Sequence, residues 1–209
     1  MNRFPRTATN IIAAITALAW VVAVVLGQSQ QAGYALGFIP LRVGMPGAVH
    51  PAVPAFLTPL TATLVHSGLV HLGFNVLILL WCGTQVERII GASGLVVLYI
   101  AGAYAAALAQ WGVNPHGNVP VVGASGAISA VMGAFALSYG RARAFTNNLA
   151  WNRWINVAWL MVAWVVLQLM MGWLGNQQGY LLATPAHVGG FAAGLLLQRP
   201  LLLWRYRKA

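Results

Sequence analysis

The sequence predicts an all-α membrane protein: a six-transmembrane-helix bundle, N- and C-termini cytoplasmic, with a structured first outer loop. Three observations predict it. Hydrophobic residues make up 60% of the chain and charged residues 6%, so most of the chain must be solvated by lipid rather than water. Six apolar runs are long enough to span, at about 1.5 Å per residue, a hydrocarbon core of about 30 Å. The basic residues between those runs fall almost entirely on one side.

The first span covers about residues 10–27. Arg3 and Arg6 precede it, as they would in a signal peptide. Its apolar run is long for one, and Gln28 to Ala32 offers no convincing small-residue cleavage site, so an uncleaved anchor is expected. The first outer loop, Gln28 to Thr58, interleaves Gly33, Gly37, Gly44, Gly47, Pro40, Pro46, Pro51 and Pro54 with Tyr34, Phe38, Val43, Phe56 and Leu57. A disordered linker would be more polar, so this loop is expected to fold against the membrane interface. The second span covers about 59–83 and the third about 93–113. A turn-rich outer loop, Asn114 to Pro120, leads to the fourth and shortest span, about 125–140. The fifth covers about 155–174 and the sixth about 185–203. Residues 1–209 are expected to form a single membrane domain.

Orientation follows from charge. With the N-terminus in the cytoplasm, six spans put Arg3, Arg6, Arg88, Arg141, Arg143, Arg153, Arg199, Arg205, Arg207 and Lys208 on the cytoplasmic side, and only Arg42 outside. The net charge of +10 therefore reads as topology and attraction to anionic lipid headgroups, not as a nucleic-acid surface. A bacterial plasma membrane suits this pattern.

The single acidic residue, Glu87, excludes several chemistries. There is no Asp, so neither an aspartyl pair nor a Ser-His-Asp triad can form within the chain. The H-E-x-x-H zinc motif is absent. Cys82 is the lone cysteine, which permits no internal disulfide or thiolate cluster, and it is expected to pack. No metal and no cofactor is expected. Any hydrolysis must use Ser, Thr, Cys, His, Asn and backbone groups.

Polar residues at membrane depth are costly and invite a functional reading. His71 and Asn75 lie on the second span, Ser125 on the fourth and His187 on the sixth, with His66 nearer the outer end. Counting back about 12–16 residues from Glu87, Arg141 and Arg199 puts the first four roughly 18–24 Å above the inner boundary. Three spans thus carry polar groups in one layer. His71 and Asn75 are four apart and share a helix face. Gly190 and Gly194 follow His187 at three and seven residues, and Gly126 and Gly133 flank the serine's helix. Small-residue stripes let helices approach closely, which would bring Ser125 and His187 within hydrogen-bond reach. Each signal alone also fits plain packing: a glycine-flanked serine, an interhelical histidine, an asparagine as glue. Together they fit a serine nucleophile with a histidine base. In that reading the start of the fourth helix supplies unpaired N–H groups for an oxyanion, alongside His71 and Asn75. Gly123 frees the backbone entering that helix.

These residues resemble the rhomboid intramembrane serine proteases over essentially the whole chain. The matching pieces are His66-Ser67-Gly68-Leu69-Val70-His71-Leu72-Gly73-Phe74-Asn75, Gly123-Ala124-Ser125-Gly126, and Ala186-His187-Val188-Gly189-Gly190 with Gly194; Glu87-Arg88 also looks like the family's pattern. The resemblance implies Ser125 as nucleophile, His187 as general base and then acid, and an oxyanion site of His71, Asn75 and the Ser125 backbone N–H. His66 matches a family histidine. The implied partners are single-span or other membrane-protein substrates within the lipid bilayer, cleaved near the outer face, with the fifth span as a lateral gate. Two positions depart from the pattern. Phe56-Leu57-Thr58-Pro59 stands where many members have Trp-Arg, and Ser129 stands where a tyrosine often stacks on the base histidine. Two other functions compete: a catalytically silent relative that binds membrane clients, and a small channel or transporter. Retention of both Ser125 and His187 weighs against the first; the lack of paired repeats and of further ionisable groups at depth weighs against the second.

Overall fold

The computed structural model describes residues 7–45, 53–139, 146–175 and 183–207. Arg3, Arg6, Arg141, Arg143 and Lys208, the loop residues Pro46, Gly47 and Pro51, and the end of the fourth run at Gly140 lie outside the described residues. Among the described residues the regular elements are all helices, apart from one isolated antiparallel bridge between Phe38 and Val121.

Helix α1 (Ala8–Val25) begins at Thr7, whose side chain accepts from the Asn10 N–H. Its first amides are also taken by Glu87: Ala8 N–H and Thr9 N–H donate to the carboxylate at 2.8 and 2.9 Å, and Thr9 Oγ1–H at 2.6 Å. A carboxylate at a helix N-terminus satisfies orphan donors and complements the dipole. The chain's single acid therefore ties α1 to the middle of the sequence.

The connection that follows is structured, with α2 (Ser29–Leu36), α3 (Leu41–Gly44), a 3-10 turn at Ala55–Leu57 and α4 (Thr58–Thr61). Arg42 is buried here and its Nη2 donates to the Val53 carbonyl at 2.8 Å. Thr61 Oγ1 donates to Leu36 O and Tyr104 Oη to Phe56 O. These bonds anchor a loop that lacks Trp-Arg.

The second apolar run is not one helix from Pro59: the short α4 starts there, and the long helix starts ten residues later. After α4 and a 3-10 turn (Ala62–Leu64) the backbone becomes extended at Val65 and again at Gly68, and the long helix starts at Leu69. Gly68 has φ 173 and ψ 174, dihedrals that end one helix and release the next. Helix α5 (Leu69–Ile78) passes through a π segment (Leu79–Gly83) into α6 (Thr84–Val113), which is broken at Gly91 (φ 80, ψ 166). That positive φ favours glycine and divides the run into 69–90 and 92–113. Among the described residues, Ala8–Val25 and Leu69–Val113 are long and apolar enough to cross a membrane.

Helices α7 (Ser125–Tyr139), α8 (Leu149–Gly175) and α9 (Thr184–Arg205) complete the bundle. The fifth helix thus starts before the expected 155. Residues 127–136 of α7 are buried on every face, which makes α7 the core helix. It packs against α6 and α9 through small residues: Gly102 lies against Ala127 and Ala130, Gly133 against the Phe191 carbonyl, and Gly194 against the Ala130 carbonyl. The Cβ direction of Gly126 points to Ala106 on α6 rather than to α9, so the α7–α9 approach depends on Gly133, Gly190 and Gly194. Cys82 packs against Met132, its Sγ 3.2 Å from the thioether sulfur. Helix α8 lies outermost, with Trp151, Trp154 and Trp159 exposed.

The two ends of the bundle differ. At one end Arg205 donates to the carbonyls of Glu87 and Arg88, Tyr139 Oη to Gln85 O, and Arg153 to Leu137 O. Those bonds gather the start of α1, residues 85–88, the end of α7, the start of α8 and the end of α9. At the other end the α1–α5 connection meets the strand-like segment before α7: Phe38 and Val121 exchange both backbone bonds, and Gly123 N–H donates to Ala62 O at 2.9 Å.

Candidate active site

Ser125 is the first residue of α7. The chain enters it through Gly123 at φ 114, a conformation strained for any residue with a side chain. Space forbids one as well: a Cβ there would lie 2.7 Å from Cε1 and Nε2 of His71. The Ala124 N–H is taken by His66 Nε2 at 3.4 Å. The Ser125 N–H is one of the first-turn amides that a helix leaves without an intrahelical partner.

His187 lies in the first turn of α9, which Pro185 opens at a position where the missing N–H costs nothing. Its Nε2 is 2.8 Å from Ser125 Oγ, with both residues buried. The close approach is made by Gly190, whose Cβ would run into the Gly126 carbonyl and meet Ser129 Cβ at 3.0 Å. Among the described residues, Nδ1 of His187 has no hydrogen-bond partner.

His71 lies in the first turn of α5, half-buried, with its Nε2 edge toward Gly123. Three helix N-termini, those of α5, α7 and α9, therefore converge on one spot. Each adds partial positive charge that favours a developing anion. Asn75 is buried, but its Nδ2 donates to the His71 carbonyl at 2.8 Å. It is thus joined to His71's backbone, and its second N–H is the group left to face an anion. His66 is buried and packs edge-on against His71, ring centroids 4.9 Å apart. Its bond to Ala124 makes it a support for the entry to α7.

Of the predicted site residues, the structure brings together Ser125, His187, His71, His66, Gly123, Gly126 and Gly190. Gly194 lies one turn further along α9, against Ala130. Sequence reasoning missed Trp164. This α8 residue is buried, stacks on Phe74 at 6.3 Å, and donates Nε1–H to Ser129 Oγ at 2.7 Å. Ser129 Oγ–H in turn donates to the Ser125 carbonyl at 2.7 Å. A serine in place of an aromatic leaves room that the indole fills from the neighbouring helix. No local pattern could have shown this, because residues 157–167 of α8 are apolar on all sides and α8 is rich in tryptophan. Trp164→Phe keeps the ring and removes the donor. It should lower stability by about 1 kcal/mol, read as a modest drop in the thermal unfolding midpoint in detergent; an unchanged midpoint would mean the bond contributes nothing net.

Comparison with known proteins adds the following. Residues 54–204 match the family model described as Rhomboid domain. The chain is 29% identical over 135 residues to "Rhomboid protease GluP" of Bacillus subtilis, covering 65% of this chain and 24% of that protein. It is 32% identical over 133 residues to "Rhomboid protease GlpG" of Yersinia pestis, covering 64% and 44%. It is 29% identical over 180 residues to human "Rhomboid-related protein 3", covering 79% and 43%. The matches thus span less than half the length of these relatives.

Proposed function

The chain belongs to the rhomboid family, and from that premise we propose that it is an intramembrane serine endopeptidase cleaving transmembrane segments of other membrane proteins. The observation that carries the reading is the 2.8 Å contact between Ser125 Oγ and His187 Nε2 in a chain without Asp. Ser125 Oγ attacks the scissile carbonyl carbon as His187 Nε2 takes the hydroxyl proton. The carbonyl oxygen becomes an oxyanion, met by the Ser125 N–H, His71 Nε2–H and the free N–H of Asn75. Collapse expels the amine, protonated by His187. Water, deprotonated by the same nitrogen, then hydrolyses the acyl-serine and frees Ser125.

The site lies at the end of the bundle opposite the Arg88, Arg153 and Arg205 cluster. That arrangement supports cytoplasmic termini and cleavage toward the outer face; six spans and residence in a bacterial plasma membrane belong to the same proposal. Residues 1–209 act as one membrane domain.

The test is labelling by a serine-directed phosphonate across pH. Ser125 should be modified. The rate should fall as pH drops through the titration of His187, because a protonated imidazole cannot accept the serine proton. A flat profile from acid to neutral pH, or equal labelling of Ser125→Ala, would overturn the assignment.

A further inference from the structure

Ser67 has no part in the mechanism above, yet it addresses one nitrogen of His71. It stands just before α5, with Gly68 at the helix cap and His71 in the first turn. Its hydroxyl Oγ lies 3.0 Å from His71 Nδ1, and its backbone N–H points at the same nitrogen at 3.5 Å. The hydroxyl alone would settle nothing, since it can donate or accept. The amide can only donate. An imidazole nitrogen facing an N–H must present its lone pair, because a hydrogen on both would collide. The ring proton is then left on the other nitrogen. In His71 that nitrogen is Nε2, on the edge against Gly123: a Cβ built there would lie 2.7 Å from Nε2 and 3.8 Å from Ser125 Oγ.

We infer that Ser67 is a positioning residue that holds His71 in the tautomer with its proton on Nε2, so that a donor faces the oxyanion. The inference rests on the reading of Ser125 and His187 as the reacting pair with His71 on the oxyanion side. The opposite tautomer would aim a lone pair at the developing anion, turning attraction into repulsion. His66 shows the same logic in reverse. There the Ala124 N–H faces Nε2, which puts that ring's proton on Nδ1. Two neighbouring histidines are thus set in opposite tautomers by backbone amides, and Ser67 adds a hydroxyl at the one whose proton matters.

The experiment pairs Ser67→Thr with Ser67→Val, which have the same shape and differ in the hydroxyl. The full chain, labelled with nitrogen-15 histidine in detergent, is examined by long-range proton–nitrogen correlation, with His71 assigned by its loss in His71→Gln. In wild type and Ser67→Thr, Nε2 should be protonated and Nδ1 bare; in Ser67→Val the two forms should mix. Turnover of a single-span substrate should fall about tenfold in Ser67→Val at unchanged KM. That is less than the 10²–10³-fold typical of losing a whole oxyanion donor, because the amide remains. Ser67→Thr should restore it. A structural cap would lower the unfolding midpoint without moving the nitrogen signals. Ser67→Ala serves in place of Ser67→Val if the latter unfolds. A proton on Nδ1 of wild-type His71, or a hydroxyl-free variant identical to wild type in both tautomer and turnover, would overturn the inference. The spectrum needs no substrate, so the tautomer is read even if Ser125→Ala and His187→Ala cleave normally, the result that would instead remove that pair from the reaction.

Discussion

Cleavage of a single-span substrate in detergent is expected to fall by on the order of 10⁴–10⁶-fold in Ser125→Ala. His187→Ala should fall as far, and the double variant no further. Among the described residues, the Ser125 hydroxyl bonds to one base, His187 Nε2 at 2.8 Å. The chain has no Asp, and its one Glu is occupied by the N-terminus of α1, so neither partner has a substitute. Two groups that act as one unit lose their function together, which is why the losses should not add. Additive losses would mean that each acts separately. Equal cleavage by wild type and both variants would remove the pair from the reaction. A chain that binds single-span substrates but cleaves none of a broad panel would be a client-binding member instead.

Gly194→Ala is expected to lose about 10²-fold in activity and to lower the unfolding midpoint clearly. A Cβ at this position would run into the Ala130 carbonyl and lie 2.8 Å from its carbonyl carbon. The obstacle is backbone in the most buried helix of the bundle, so it cannot swing aside as a side chain would. Overpacking of this kind typically costs about 1–3 kcal/mol. Relief requires α9 to move away from α7, and His187 moves with it. A displacement of about 1 Å from reacting geometry is enough for a 10²-fold loss. Gly73→Ala is the control: it is exposed on α5 with nothing within 4 Å of a new Cβ. Helix propensity there should make alanine neutral or stabilising by up to about 1 kcal/mol. A Gly194→Ala variant with wild-type turnover would show that α9 can retreat without carrying its histidine off line.

The residues that meet in the structure were legible because each is anomalous in lipid. Ser125, His187 and His71 are polar where polarity is costly, as is Asn75, which is joined to the group through the His71 carbonyl. Gly190 and Gly194 repeat at helical spacing beside one of them. The helix breaks were harder to read. The run from Pro59 to Gly83 is long enough for one span, and the turn pair Ser67-Gly68 within it does not by itself show that the backbone leaves the helix between Val65 and Gly68. Hydrophobic periodicity fails here because lipid and protein core are equally apolar, so a helix has no polar face to mark what it packs against. For the same reason the direction of Gly126 toward α6, and the burial of Trp164 among several tryptophans on α8, had no local signature.

The sequence by itself determined a helical membrane chain, a charge asymmetry, the absence of Asp, and a short set of polar residues within the apolar runs as candidates. These follow from transfer free energies and from which side chains are absent, both properties of single residues. Only the tertiary structure decided that Arg42 secures the loop through Val53, that Trp164 fills the space beside Ser129, and that Ser67 meets Nδ1 of His71. Those are matters of distance and hydrogen-bond direction, in two of the three between residues far apart or on different helices. A donor's partner depends on where the backbone has carried both groups, and that is a property of the packed bundle.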